Sequence, residues 1–186
     1  MLEQTGIHWV ILIVVFILTA IGLLVILRKN YVSYGIITGI SILVSIVLCM
    51  FFYKNGFYRF VLPLPVILPT VAMSFTFLTL FSIYYKPKHH TFVFYFTIIN
   101  LVFAIEMVLR YFFHFIVYRG PWDTWDSYSL YWVYIRFFAF LGDWFVPSKY
   151  RNPIPSDTRA YWFSFIIVII GTIMGFIFML NQWHER

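Results

Sequence analysis

The sequence predicts an all-α fold, a polytopic transmembrane helix bundle of about six spans, and three observations carry that prediction. Of the 186 residues, 62% are hydrophobic and only 11% charged. An ordinary soluble domain carries roughly 25% charged residues, so this chain lacks the polar side chains to cover a water-facing surface. The apolar residues gather into six runs, at about 7–27, 33–53, 60–84, 91–117, 128–146 and 160–180. Each approaches or exceeds the roughly 20 residues that cross a hydrocarbon core as a helix, the form in which a spanning backbone satisfies its own polar groups. Most Lys and Arg residues fall in the short segments between the runs. The whole chain, 1–186, reads as one membrane domain with no room for a separate soluble one.

Taken in order, the first run follows MLEQTGIHWV, which lacks the positive n-region of a secretory signal, and it ends without a small-residue cleavage site. It reads as a retained span. Arg28–Tyr31, Lys54–Tyr58 and Lys86–His90 are long enough for helical hairpins and little else. The second run holds Gly35 and Gly39 and the sixth Gly171 and Gly175, GxxxG pairs that permit close helix packing within the chain or between copies. The third opens FVLPLPVILPT. Pro63 and Pro65 suit a helix start, whereas Pro69 lies inside and predicts a kink or a break. The fifth run, 128–146, is short and carries Arg136 and Asp143, so it is either a span or an interfacial helix. In the following loop, Ser156 and Asp157 are candidate N-caps for the last helix.

Loop charge selects the spanning form of the fifth run. With six spans and the N-terminus outside, the inner loops hold Arg28, Lys29, Lys86, Lys88, Lys149, Arg151 and Arg159, and the outer side holds Lys54, Arg59, Arg119 and Arg186. Cytoplasmic loops are the richer in Lys and Arg. Removing the fifth span would reverse that bias. The net charge of +6 is spread between apolar runs rather than gathered on one patch. It therefore argues for anionic lipid headgroups at the basic loops and against nucleic acid.

The candidate functional residues are charges inside the runs. The fourth run reads NLVFAIEMVLRYFFHF, with Glu106, Arg110 and His114 spaced i, i+4, i+8 along one helix face. An ionised group at mid-bilayer costs about 2.5–3.5 kcal/mol on insertion scales, so it faces protein or a watery cavity. An antiparallel fifth helix would set Arg136 at the depth of Glu106, as its interhelical partner with Arg110 alongside. Two arginines in reach would keep Glu106 ionised. Asp143, on nearly the same face as Arg136, would lie near the inner boundary within range of Lys149 or Arg151.

Other features point elsewhere. The lone Cys49 excludes an intramolecular disulfide. Asp123 and Asp126, within WDTWD, read as a capped interfacial turn anchored by Trp122 and Trp125. His89 and His90 sit among lysines, where a metal cation is opposed. There is no HExxH, GxSxG, Walker A or CxxC motif, and no cofactor is implied.

The run LPLPVILPT, the short basic loop before a charged fourth span and the aromatic-rich tail together resemble a group of small polytopic membrane proteins from spore-forming Gram-positive bacteria. That resemblance covers the layout of most of the chain and implies no activity and no site residues. In size and span number the chain is also similar to substrate-binding subunits of energy-coupling-factor vitamin transporters, without their alanine-rich first-helix signature. Three functional readings stand. The leading one is a non-enzymatic cell-membrane protein that binds or helps translocate a small solute or ion through a polar site around Glu106, Arg110 and Arg136. The second is a structural or regulatory membrane partner, or homo-oligomer, whose buried charges only fix packing. The third is an intramembrane enzyme using Glu106 or His114.

Overall fold

The computed structural model describes residues 2–184. Six α-helices run Leu2–Leu27 (α1), Tyr31–Lys54 (α2), Leu64–Tyr84 (α3), Thr91–Tyr111 (α4), Thr124–Phe145 (α5) and Arg159–His184 (α6). Four are long and apolar enough to cross a membrane: Gly6–Leu27 of α1, α2, α3 and α4. Large apolar side chains stand exposed along them, Leu18, Leu43, Leu101 and Ile105 among them, as expected of a surface that meets lipid rather than water. Arg186, counted above in the loop charges, lies outside the described residues.

α3 is the centre of the bundle. α1, α2 and α5 pack on it, α4 packs on α5, and α6 lies against α4. Close approach to α3 comes from two glycines other than the paired ones. A β-carbon on Gly142 would come within 2.6 Å of the Ile83 side chain, and one on Gly22 would collide with the Phe77 ring. A β-carbon on Gly35, Gly39, Gly171 or Gly175 would meet nothing within 4 Å. Those GxxxG pairs therefore seat no helix of this chain closely; Gly171 and Gly175 face α4 across a cavity of about 230 Å³.

Polar residues join the helices internally, where an unpaired hydroxyl in hydrocarbon has no water to turn to. Ser41 and Ser45 of α2 both meet the Tyr134 hydroxyl of α5, at 2.7 and 2.8 Å, and Ser41 also bonds Thr79 of α3. Asn100 of α4 holds α6 through Thr172 Oγ1 at 3.2 Å. The buried residues of α5 run from Ser127 through Tyr131, Tyr134 and Phe138 to Gly142. One face of this helix is thus buried along its length, while Val133, Phe137, Phe140 and Trp144 on the other stand exposed.

Several boundaries differ from the expectation. α4 ends at Tyr111, six residues before the end of its apolar run. His114 takes a left-handed backbone conformation (φ 49°), and the chain then runs extended as β2, Ile116–Tyr118. β2 pairs antiparallel with β1, Tyr58–Phe60, in the register Tyr58 to Tyr118, Arg59 to Val117 and Phe60 to Ile116. This two-stranded ribbon ties the α2–α3 connection to the α4–α5 connection. α3 continues unbroken through Pro69; the proline lies in the second turn, where the carbonyl it leaves free belongs to Pro65, close to the helix start. α6 begins after Thr158, whose hydroxyl accepts from the Tyr161 N–H, in place of Ser156 or Asp157.

Candidate functional site

Glu106 is buried near one end of α4, about 8 Å short of the helix terminus at the helical rise. Its two carboxyl oxygens receive two tyrosines. Tyr118 donates to Oε1 at 2.6 Å and Tyr131 donates to Oε2 at 2.7 Å. Tyr131 arrives from the buried face of α5, whereas Tyr118 arrives from β2. Burial, reinforced by the neighbouring Glu106, pushes the Tyr118 hydroxyl well above the usual tyrosine range, so it stays a donor. Ser127 Oγ lies 2.8 Å from the Tyr118 hydroxyl and accepts from Trp122 Nε1 at 3.1 Å. The turn that delivers Trp122 and Ser127 is held by a capping box. Asp123 accepts from the amides of Trp125 and Asp126, and Asp126 accepts from the Asp123 N–H. The acidic pair is thus a capped turn, as its spacing predicts.

Arg110 lies beside this cluster without a direct bond to Glu106 among the described residues. Its guanidinium carbon sits 3.9 Å from the centre of the Tyr118 ring and Nη1 donates to Thr124 Oγ1 at 3.0 Å. It packs on a face of the Tyr118 ring, a cation–π contact. His114 does not continue the Glu106–Arg110 face. The helix has already ended, and among the described residues the exposed ring reaches the Arg110 carbonyl alone, with Nδ1 at 3.2 Å.

Arg136 is not the partner of Glu106. It projects from α5 about 13 Å before that helix ends, and its guanidinium lies 4.9 Å over the ring of Tyr95, in the second turn of α4. Glu106 is near the last turn of α4 instead, so the two belong to opposite ends of the bundle. The fourth apolar run is longer than the helix it makes, so Glu106 lies nearer the helix end than the run's midpoint suggests, level with Tyr131 rather than Arg136. Asp143 belongs to the Arg136 end. It pairs with Lys86 at 2.6 Å and with Arg151 at 2.8 Å. Lys149 instead lies over the Tyr150 ring. Arg151 also donates to the carbonyls of Gly142 and Val146, closing the end of α5.

Two cavities meet at Glu106. One, of about 330 Å³, lies between α1, α3 and α4 and is lined by Leu12, Val15, Ile67, Phe75, Ile105 and Leu109 among others. The second, of about 110 Å³, lies on the α2 and α5 side beside Ser45, Phe52, Tyr58, Trp122 and Tyr134. Glu106, Tyr131, Phe75 and Phe60 line both. The carboxyl group is therefore the acidic point of a space lined mainly by apolar and aromatic side chains, with the hydroxyls of Thr19, Thr70, Ser74, Ser45 and Ser127 also on its walls.

Sequence reasoning found Glu106, Arg110 and Asp143 but missed Tyr118, Tyr131, Ser127 and the Ser41–Ser45–Tyr134 cluster. The i, i+4 serines of α2 and the i, i+3 tyrosines 131 and 134 of α5 were the available signals, hidden because hydroxyl residues are common in apolar runs. Among the described residues, no group of three or more His, Cys, Asp or Glu side chains comes together to hold a metal ion. No protein-family model, no curated protein and no solved structure matches this chain.

Proposed function

We propose that this is a non-enzymatic, six-span cell-membrane protein whose interior binds a small, largely apolar solute carrying one cationic or hydrogen-bond-donating group. The observation that carries the reading is the single carboxyl at the common wall of two apolar cavities. The larger, at about 330 Å³, falls at the lower end of the size range of ligand pockets, and such pockets are apolar with a few placed polar groups. Each Glu106 oxygen accepts one tyrosine, which leaves lone pairs for a ligand. Phe60, Phe75 and Tyr131 offer ring faces beside it, surfaces that attract cations. The larger cavity lies in the cleft between α1 and α4, where Ile105 is lipid-facing, and that placement supports entry from the bilayer. Orientation follows the loop charges, with the N-terminus outside and the Lys86 end facing the cytoplasm and anionic headgroups.

A second reading has its own support: the paired tyrosines make Glu106 a clamp between α4, α5 and β2, serving packing alone. One experiment separates the two. The protein is placed in nanodiscs and titrated with benzyltrimethylammonium and with its uncharged carbon isostere, following tryptophan fluorescence. Saturable binding of the cation that weakens strongly in Glu106→Gln supports the binding role. Binding that is absent, or identical in wild type and variant, leaves the clamp.

A further inference from the structure

The opposite end of the bundle holds a second polar cavity that the Glu106 site does not involve. It measures about 460 Å³, and Lys86, Lys88, Thr91, Arg136, Ser148 and Arg151 line it. Four of those side chains are cationic. Asp143 engages two of them, Lys86 and Arg151, from outside the lining. Neither Lys88 nor Arg136 has an acidic partner among the described residues. Arg136 keeps a permanent charge and is exposed at this end of the bundle, where its guanidinium lies over the face of Tyr95. α4 starts at this cavity, at Thr91. Its N-cap residue, His90, is left-handed and makes no side-chain cap bond, so the first-turn amides of α4 present unmet donors at the positive end of the helix dipole.

We infer that this cavity is a binding site for a phosphate ester, with Arg136 and Lys88 as its cationic ligands and the α4 N-terminus supplying amide donors. The chemistry is specific in three ways. An arginine offers a planar pair of donors that matches two phosphate oxygens. Helix N-termini bind phosphate through backbone N–H groups. The neighbouring Lys86 and Arg151, already neutralised by Asp143, hold the walls and stay in place when the site is empty. This is more than the diffuse attraction of a basic loop to anionic lipid, because Arg136 comes from within α5 rather than from a loop.

Two sources of the ester are possible, a phospholipid headgroup and a soluble compound, and two arms distinguish them. In the first, full-length protein is reconstituted with phosphatidylcholine alone or with added phosphatidylglycerol, and native mass spectrometry counts retained lipid. In the second, phosphatidylcholine nanodiscs are titrated with glycerol 3-phosphate and followed by thermal unfolding. Arg136→Gln and, separately, Lys88→Gln in its exposed loop are compared with Arg59→Gln, which removes the same charge at the far end of the bundle. The expected result is saturable binding in one arm, weakened about tenfold by Arg136→Gln or Lys88→Gln, as for loss of one charge-assisted hydrogen bond, and unchanged by Arg59→Gln. Selective retention of phosphatidylglycerol assigns a lipid headgroup, and a glycerol 3-phosphate response assigns a soluble ester. No binding in either arm, or an equal loss in Arg59→Gln, overturns the site.

Discussion

Replacing Glu106 by leucine should convert Tyr131 from a stabilising residue into a destabilising one. The Tyr131 hydroxyl has Glu106 Oε2, at 2.7 Å, as its hydrogen-bond acceptor and no other among the described residues. Tyr118 differs, because its hydroxyl also meets Ser127 Oγ at 2.8 Å and can donate there instead. Glu106→Leu therefore orphans one hydroxyl, that of Tyr131, which sits in the buried core. A made hydrogen bond contributes about 0.5–1.5 kcal/mol, or about 1.5–3 when one partner is charged, and an orphaned buried group costs about 1–3 kcal/mol. Tyr131→Phe should thus destabilise the wild type by at least about 0.5 kcal/mol and stabilise Glu106→Leu by at least about 1 kcal/mol. The coupling is at least about 1.5 kcal/mol, or roughly 3 °C or more in melting temperature for a chain of this size. The four proteins of the cycle are melted in one detergent and followed by circular dichroism. Equal effects of Tyr131→Phe in both backgrounds would refute the shared bond, and with it the carboxyl geometry on which the proposed binding site depends.

Three further outcomes are expected. Gly142→Val should destabilise by about 1–3 kcal/mol through overpacking against Ile83, whereas Gly35→Ala should be neutral or stabilising, both read by thermal unfolding. Asp143→Asn releases Lys86 and Arg151, but the Asp143 side chain is 43% exposed. Each pair is then worth under about 1 kcal/mol, and the difference from wild type should shrink as salt is raised in the same melts. Arg110→Lys keeps the charge and loses the flat contact with Tyr118 and the bond to Thr124, a loss of about 0.5–2 kcal/mol in chemical denaturation.

The helices were legible because length and apolarity decide them locally. All six occur where an apolar run announces one, and even the charged fifth run is a helix buried along one face. What could not be read was where a helix stops inside an apolar stretch. Phe112, Phe113, Phe115, Ile116 and Val117 look like continued helix, yet they form a reversal and a strand whose pairing partner, β1, is remote in sequence. That one misplacement moved the midpoint of α4 and matched Glu106 with the wrong arginine. The identity of Glu106 as a buried acid was plain from composition. Its partners were not, since tyrosines in an aromatic-rich chain carry no mark that separates a hydrogen-bond donor from a lipid-facing ring.

The β1–β2 ribbon also orders events in time. Tyr58 and Tyr118 pair across about 60 residues, and α3 and α4 both lie between them, so closing the ribbon carries the entropy cost of a long loop. It belongs among the slow non-local contacts of folding, and formation of α3 and α4 shortens the loop it must close. Tyr118 reaches Glu106 from that ribbon. The carboxyl therefore receives one of its two tyrosines through a slow, long-range contact, and the polar cluster around Glu106 is completed late in assembly.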